Sequence, residues 1–145
     1  MEPVPDPRLP PARLPDSAFD VGWSVIEWPS RFTAGESATV RLRVTNESGT
    51  TWPSRDPLAP SGALAVRLSY RWLRFGADSP PITSYADRVD LPLPLHPRES
   101  VDLAVQVKIP TQPDGYRLQF DLVQERAAWF ESKGASRLIS PVIVQ

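Results

Sequence analysis

Hydrophobic and polar residues alternate with a period of two along much of this chain, most cleanly just after Pro113-Asp114-Gly115. Tyr116, Leu118, Phe120 and Leu122 fall on one side, and Arg117, Gln119 and Asp121 on the other. Successive side chains of a strand point to opposite faces, so such a run predicts a β-strand with one buried face. The same pattern recurs over residues 38–46, where Val40, Leu42 and Val44 oppose Arg41, Arg43 and Thr45. It recurs over 63–73, where Leu64, Val66, Leu68, Tyr70 and Trp72 oppose Arg67, Ser69 and Arg71. It recurs again over 100–109, where Val101, Leu103, Val105, Val107 and Ile109 oppose Asp102, Ala104, Gln106 and Lys108. Residues 21–28 open the series, and 129–130 with 137–144 close it. Residues 88–95 form a short piece that Pro92, Pro94 and nearby Pro97 restrict to an edge or an irregular segment.

Turn-forming clusters separate these runs, at Thr33-Ala34-Gly35-Glu36, Asn46-Glu47-Ser48-Gly49 and Pro110 to Gly115. Residues 54–62 and 75–85 read as loops. No segment of useful length carries a helical period. The pattern predicts an all-β protein, an antiparallel immunoglobulin-like β-sandwich of about seven strands. Tyr116, following Gly115 at the head of its strand, resembles a tyrosine corner. Trp72 is in phase with Leu68 and Tyr70, which places it between the sheets. Trp23 is in phase with Val21 and Val25, which suggests burial as well.

Residues 1–19 break the pattern. They hold Pro3, Pro5, Pro7, Pro10, Pro11 and Pro15, a density that favours extended polyproline II and blocks helices. They read as a semi-rigid linker or tail, with residues 20–145 as the domain. Pro7-Arg8-Leu9-Pro10 has the PxxP spacing of a short peptide ligand, a weak motif. Residues 1–14 contain no apolar run of signal-peptide type. The compartment stays open between cytoplasm and cell envelope.

The 145 residues suit one domain with a tail, and 41% hydrophobic content suits a folded core. A net charge of -1 provides no electrostatic footprint for nucleic acid or an anionic membrane. No stretch is apolar enough for insertion into a bilayer. The absence of cysteine excludes disulfides and thiolate metal sites.

Several motifs together resemble a known family. Phe32-Thr33-Ala34-Gly35-Glu36 precedes a strand ending in Val44-Thr45-Asn46. Then come Gly49-Thr50-Thr51-Trp52-Pro53, Leu91-Pro92, and Ile109-Pro110 to Pro113-Asp114-Gly115-Tyr116. The set resembles the four-tryptophan immunoglobulin-like domain of autophagy cargo receptors and its bacterial relatives. Asp121-Leu122-Val123-Gln124-Glu125 with Trp129-Phe130 also resembles bacterial immunoglobulin-like domains appended to glycosyltransferases and other envelope enzymes. The resemblance spans roughly residues 20–145 and departs at His96-Pro97-Arg98-Glu99, where such domains carry Pro-Gly-Glu. It implies an accessory module without catalytic residues of its own.

Candidate chemistry is sparse. His96, the single histidine, lies in a turn with no evident orienting partner. Asp121 with Glu125, or Asp87 with Asp90, offer paired carboxylates of the kind glycosidases use. Their ordinary role is a solvated sheet face or cross-strand pairing with arginine. Seven scattered glycines form no phosphate cradle or nucleophile elbow. No cofactor or metal is expected, and the chain reads as non-enzymatic. Arg41, Arg43, Arg67 and Arg71 would form a basic stripe if their strands shared a sheet, unless Asp102 and Asp121 neutralise it.

Trp28, Trp52 and Trp129 fall at strand ends or loops. They either cap the sandwich or present flat faces for stacking on a sugar ring. Two functions follow. One is a non-catalytic accessory module of a bacterial multidomain protein, contacting a neighbouring domain or a protein partner. The other is a carbohydrate-binding module using Trp28, Trp52 or Trp129 with the polar neighbours Arg55 and Glu131. In both, Trp72, Gly115 and Tyr116 are structural.

Overall fold

A computed structural model describes residues 12–56, 62–76, 81–85 and 87–145. Eight strands run in chain order: β1 Val21–Glu27, β2 Ser37–Asn46, β3 Val66–Arg74, β4 Val89–Asp90, β5 Ser100–Lys108, β6 Asp114–Gln124, β7 Ala128–Trp129 and β8 Leu138–Val144. β4 and β7 are two residues each, which accounts for the excess over about seven expected from spacing. Short 3-10 turns occupy Asp16–Ala18 and Phe130–Lys133. Among the described residues no helix is long and apolar enough to cross a membrane.

The strands form two antiparallel sheets. One has the order β1-β2-β5; the other has the order β4-β3-β6, with β7 and β8 both pairing on the far side of β6. The chain is an all-β, immunoglobulin-like sandwich. Its core is the inward set that the alternation marks. Val40, Leu42 and Val44 of β2 and Leu103, Val105 and Val107 of β5 meet Leu68, Tyr70 and Trp72 of β3 and Leu118, Phe120 and Leu122 of β6. Full burial of each large apolar side chain contributes about 1.5–3 kcal/mol.

Side-chain hydrogen bonds lock the joints. The Tyr116 hydroxyl donates to the Gln112 carbonyl at 2.7 Å, four residues upstream. The Trp72 indole N–H donates to the Lys108 carbonyl at 2.8 Å, tying β3 to the rim of the opposite sheet. Asn46, with no exposed surface, donates to the carbonyls of Thr50 and Leu95 and accepts from the Ser48 N–H and hydroxyl. This buried Asx turn gives the Asn46…Gly49…Trp52 spacing its physical sense.

The expected linker ends earlier than residue 19. The Leu14 N–H donates to the Gln124 side chain at 3.0 Å, and that side chain donates to the Ala12 carbonyl at 2.7 Å. Ala18 and Phe19 are buried. Proline disfavours α-helix but leaves the backbone free to dock, and residues 12–19 do so around the 3-10 turn at Asp16–Ala18. Pro7-Arg8-Leu9-Pro10 lies outside the described residues.

Trp52 corrects a second expectation. It is 0% exposed, donates its indole N–H to the Ala18 carbonyl at 2.7 Å, and meets Phe130 edge-on at 5.1 Å. Phe130 meets Phe19 in the same way at 4.9 Å. The three rings plug one end of the sandwich, so Trp52 presents no stacking face to solvent.

Candidate functional site

The outward face of the β3–β6 sheet departs most from the alternation. Period two assigns Ser69, Gln119 and Asp121 to solvent, yet each is fully buried. The reason lies in what crosses over them. Tyr85, from the segment before β4, and Trp129, on β7, stack at 4.1 Å with ring planes 22° apart. The Arg71 guanidinium lies over the Tyr85 ring at 4.5 Å, and that of Arg88 over the Trp129 ring at 5.1 Å. The result is a four-layer ladder, cation–ring–ring–cation, laid across the sheet. Each such contact contributes about 0.5–1.5 kcal/mol.

Carboxylates and amides knit the ladder to the sheet. Arg71 donates to the Gln119 side-chain oxygen at 3.0 Å and lies 3.7 Å from Glu131. Glu131 also accepts from the Gln119 amide at 3.0 Å and from Arg137. Arg88 donates to Glu125 at 2.6 Å and to the Ser69 hydroxyl at 3.1 Å. Asp121 accepts the Leu122 N–H at 2.8 Å and the Glu131 N–H at 3.3 Å. Burial pushes the Asp121 carboxyl up to about 7; the neighbouring Glu131 charge adds to this, while the two N–H bonds and Arg71 oppose it. Burial also raises the Tyr85 phenol, with Asp121 adding to the effect, and its buried hydroxyl has no hydrogen-bond partner among the described residues. Trp129 and its neighbours Arg88, Gln124 and Glu125 border a depression of about 250 Å³. The opposite charges of Arg88 and Glu125 meet within it.

Of the anticipated ligand-binding residues, Trp129 and Glu131 come together here, on one turn. Trp129 is half-buried, with Tyr85 stacked on it and the Arg88 guanidinium 5.1 Å from its ring centre. Trp28 is half-buried, tilted against Phe32 at 5.6 Å and Phe120 at 6.4 Å. Arg55 is exposed, 3.9 Å from Asp90. The carboxylate pairs are likewise engaged. Asp87 accepts from the Tyr70 hydroxyl at 3.3 Å, and Asp90 pairs with Arg67 at 2.8 Å.

The arginines do not form one stripe. Arg41 and Arg43 lie on β2, while Arg67 and Arg71 lie on β3 of the other sheet. Arg43 forks onto Asp102 directly across β5 and holds that carboxyl below its usual range. His96 is exposed and shares a hydrogen bond with the Thr51 hydroxyl at 3.0 Å. Among the described residues no group of three or more His, Cys, Asp or Glu is placed to hold a metal ion.

Beyond the ladder, the same sheet exposes an apolar strip. Phe75 is 60% and Ile143 62% exposed, on either side of Gly115. A Cβ on Gly115 would lie 3.4 Å from Phe75 and 3.8 Å from Ile143, so the glycine forms the floor between two protruding side chains. Sequence reasoning missed both the strip and Tyr85, because residues 75–85 carry no periodicity to mark which of them return to the sheet.

No protein-family model and no curated protein matches this chain. Solved structures do. One is the CARDB domain of a Pyrococcus furiosus protein in complex with di-metal ions, at TM-score 0.52 and 16% identity, over 87% of this chain and 86% of that one. Another is a mutant β-glucosidase from Listeria innocua in complex with laminaribiose, at TM-score 0.51 and 13% identity. There the match covers 87% of this chain but 16% of the glucosidase. At such identities the likeness is one of fold: the chain shares the immunoglobulin-like sandwich of a CARDB domain.

Proposed function

We propose that this chain is a non-catalytic accessory module of a bacterial multidomain protein and mediates protein or interdomain contacts. The observation that carries the reading is the strip of Phe75 and Ile143 across Gly115. Two large apolar side chains stand side by side on this sheet, and contiguous exposed apolar surface marks contact sites. The match to a small part of the glucosidase chain supports it, since a sandwich of this kind is there one portion of a larger protein. The resemblance to four-tryptophan-type domains points the same way. Sugar stacking, the alternative, is weakened because Trp52 is in the core and Trp129 is engaged by Tyr85 and Arg88.

A photo-crosslinking residue in place of Phe75, in the protein expressed in its own cell, tests the proposal. The expected result is one discrete cross-linked product that disappears on Ile143→Asp, while the folding stability changes by no more than a neutral surface substitution does, about 0.5 kcal/mol. Failure to cross-link, or a product that survives Ile143→Asp, would overturn it.

A further inference from the structure

Sheet edges are templates for pairing, and proteins blunt them by shortness, bulges, proline or cover. β4 and β7 are two residues long. β1 slips register between Val25 and Glu27. β8 carries Pro141, and its end is held by bonds from the Gln145 N–H to Phe32 and from the Ala34 N–H to Gln145. β5 is neither short, bulged nor broken by proline; it carries the charges of Asp102 and Lys108 and is covered at Lys108 alone among its described outward residues. Its nine residues pair with β2 in unbroken register from Ser37/Lys108 to Thr45/Ser100 and include neither proline nor glycine.

The backbone of β5 shows which groups face outward. The Ile109 N–H bonds Glu36 and the Glu99 carbonyl accepts from Asn46, so the odd-numbered residues bond β2 and the even-numbered ones point away. At Lys108 the outward N–H is taken by the Tyr70 hydroxyl and the outward carbonyl by Trp72. Along Ser100, Asp102, Ala104 and Gln106 no described residue meets the outward N–H and C=O groups.

We propose that this edge pairs with the β5 edge of a second copy of the chain. The two strands run antiparallel about a two-fold axis at Ala104 and join the β1-β2-β5 sheets of both copies into one. This register satisfies the outward backbone groups of Asp102, Ala104 and Gln106 in both copies and leaves those of Ser100 opposite Lys108, whose own are already taken. The smallest side chain of the outward set sits on the axis. Asp102 faces Gln106 of the other copy, with the other Lys108 on the diagonal, about 7–8 Å away and within reach of a long side chain. A register centred on Leu103 would instead set the two Asp102 carboxylates diagonal to each other. The pairing is independent of the Phe75–Ile143 strip.

Sedimentation equilibrium across a concentration series tests the pairing on the wild-type chain, with Ala104→Lys and Ala104→Glu each alone and the two mixed. Ala104 is exposed, so both variants keep the fold, which circular dichroism checks. The wild type is expected to dimerise. Each variant alone is expected to weaken dimerisation by about tenfold or more through like charges at the axis, and the mixture to restore it. As a second block, Ala104→Pro removes only an outward N–H and leaves the bonds to β2 intact. A wild-type chain that stays monomeric at millimolar concentration overturns the proposal. So does a dimer indifferent to charge at residue 104, or a mixture no tighter than its components.

Discussion

Asp121 lies on the side of β6 that turns away from the core, and still no water reaches it. Its carboxyl is raised by burial to about 7 in the folded chain, against about 3.9 for an unfolded aspartate. Between those values the folded state holds a proton that the unfolded state has released. Stability therefore falls as pH rises from about 4 to about 7, and this contribution is level above that. Asp121→Asn is expected to remove the slope and to raise stability at about pH 8 by an amount on the order of a few kcal/mol. Urea midpoints of both proteins at about pH 5 and about pH 8 measure it. An unchanged slope in the variant would assign the pH dependence elsewhere. Alternation places Asp121 correctly on the outward face. It cannot say that the face is covered, because the cover comes from Tyr85 and Trp129, which sit in no periodic run. Trp52 fails for a related reason. Its position before Pro53 looks like a strand end, and its burial depends on Phe19 and Phe130, far away in the sequence.

Among the elements, strands are legible and their crossings are not. The ranges for β2, β5 and β6 follow from period two to within a residue or two, since each has one face on a continuous core. The ladder of Arg71, Tyr85, Trp129 and Arg88 joins three separate pieces of chain, and no local pattern announces it. The planar guanidinium of Arg71 covers the Tyr85 ring while donating to Gln119. A lysine keeps the charge but has neither the plane nor the fork. Arg71→Lys is expected to cost about 1–2 kcal/mol, read from chemical denaturation. A cost near zero would mean that the stack is ornamental and that burial alone holds the cover in place.

At the scale of the whole molecule, one end of the sandwich is closed by a segment that composition assigns to a linker. Phe19 reaches the core 3% exposed and packs on Phe130, which in turn packs on Trp52. Phe19→Ala is expected to destabilise the domain by about 3–5 kcal/mol, measured by thermal melting, whereas a true linker residue would change little. Proline content makes residues 12–19 look unstructured, yet proline restricts conformation without forbidding contact. The fold class is legible because inward and outward sets repeat over four long strands; the domain boundary is not, because docking depends on a partner surface rather than on local composition. The stretch that follows β1 has a mechanical consequence. Phe32 pairs with Val144 in parallel, and bonds at Phe32 and Ala34 both reach Gln145. Traction drawn in opposite directions along these two stretches strains the bonds side by side, not one after another, so the seam resists shear where a hairpin would unzip.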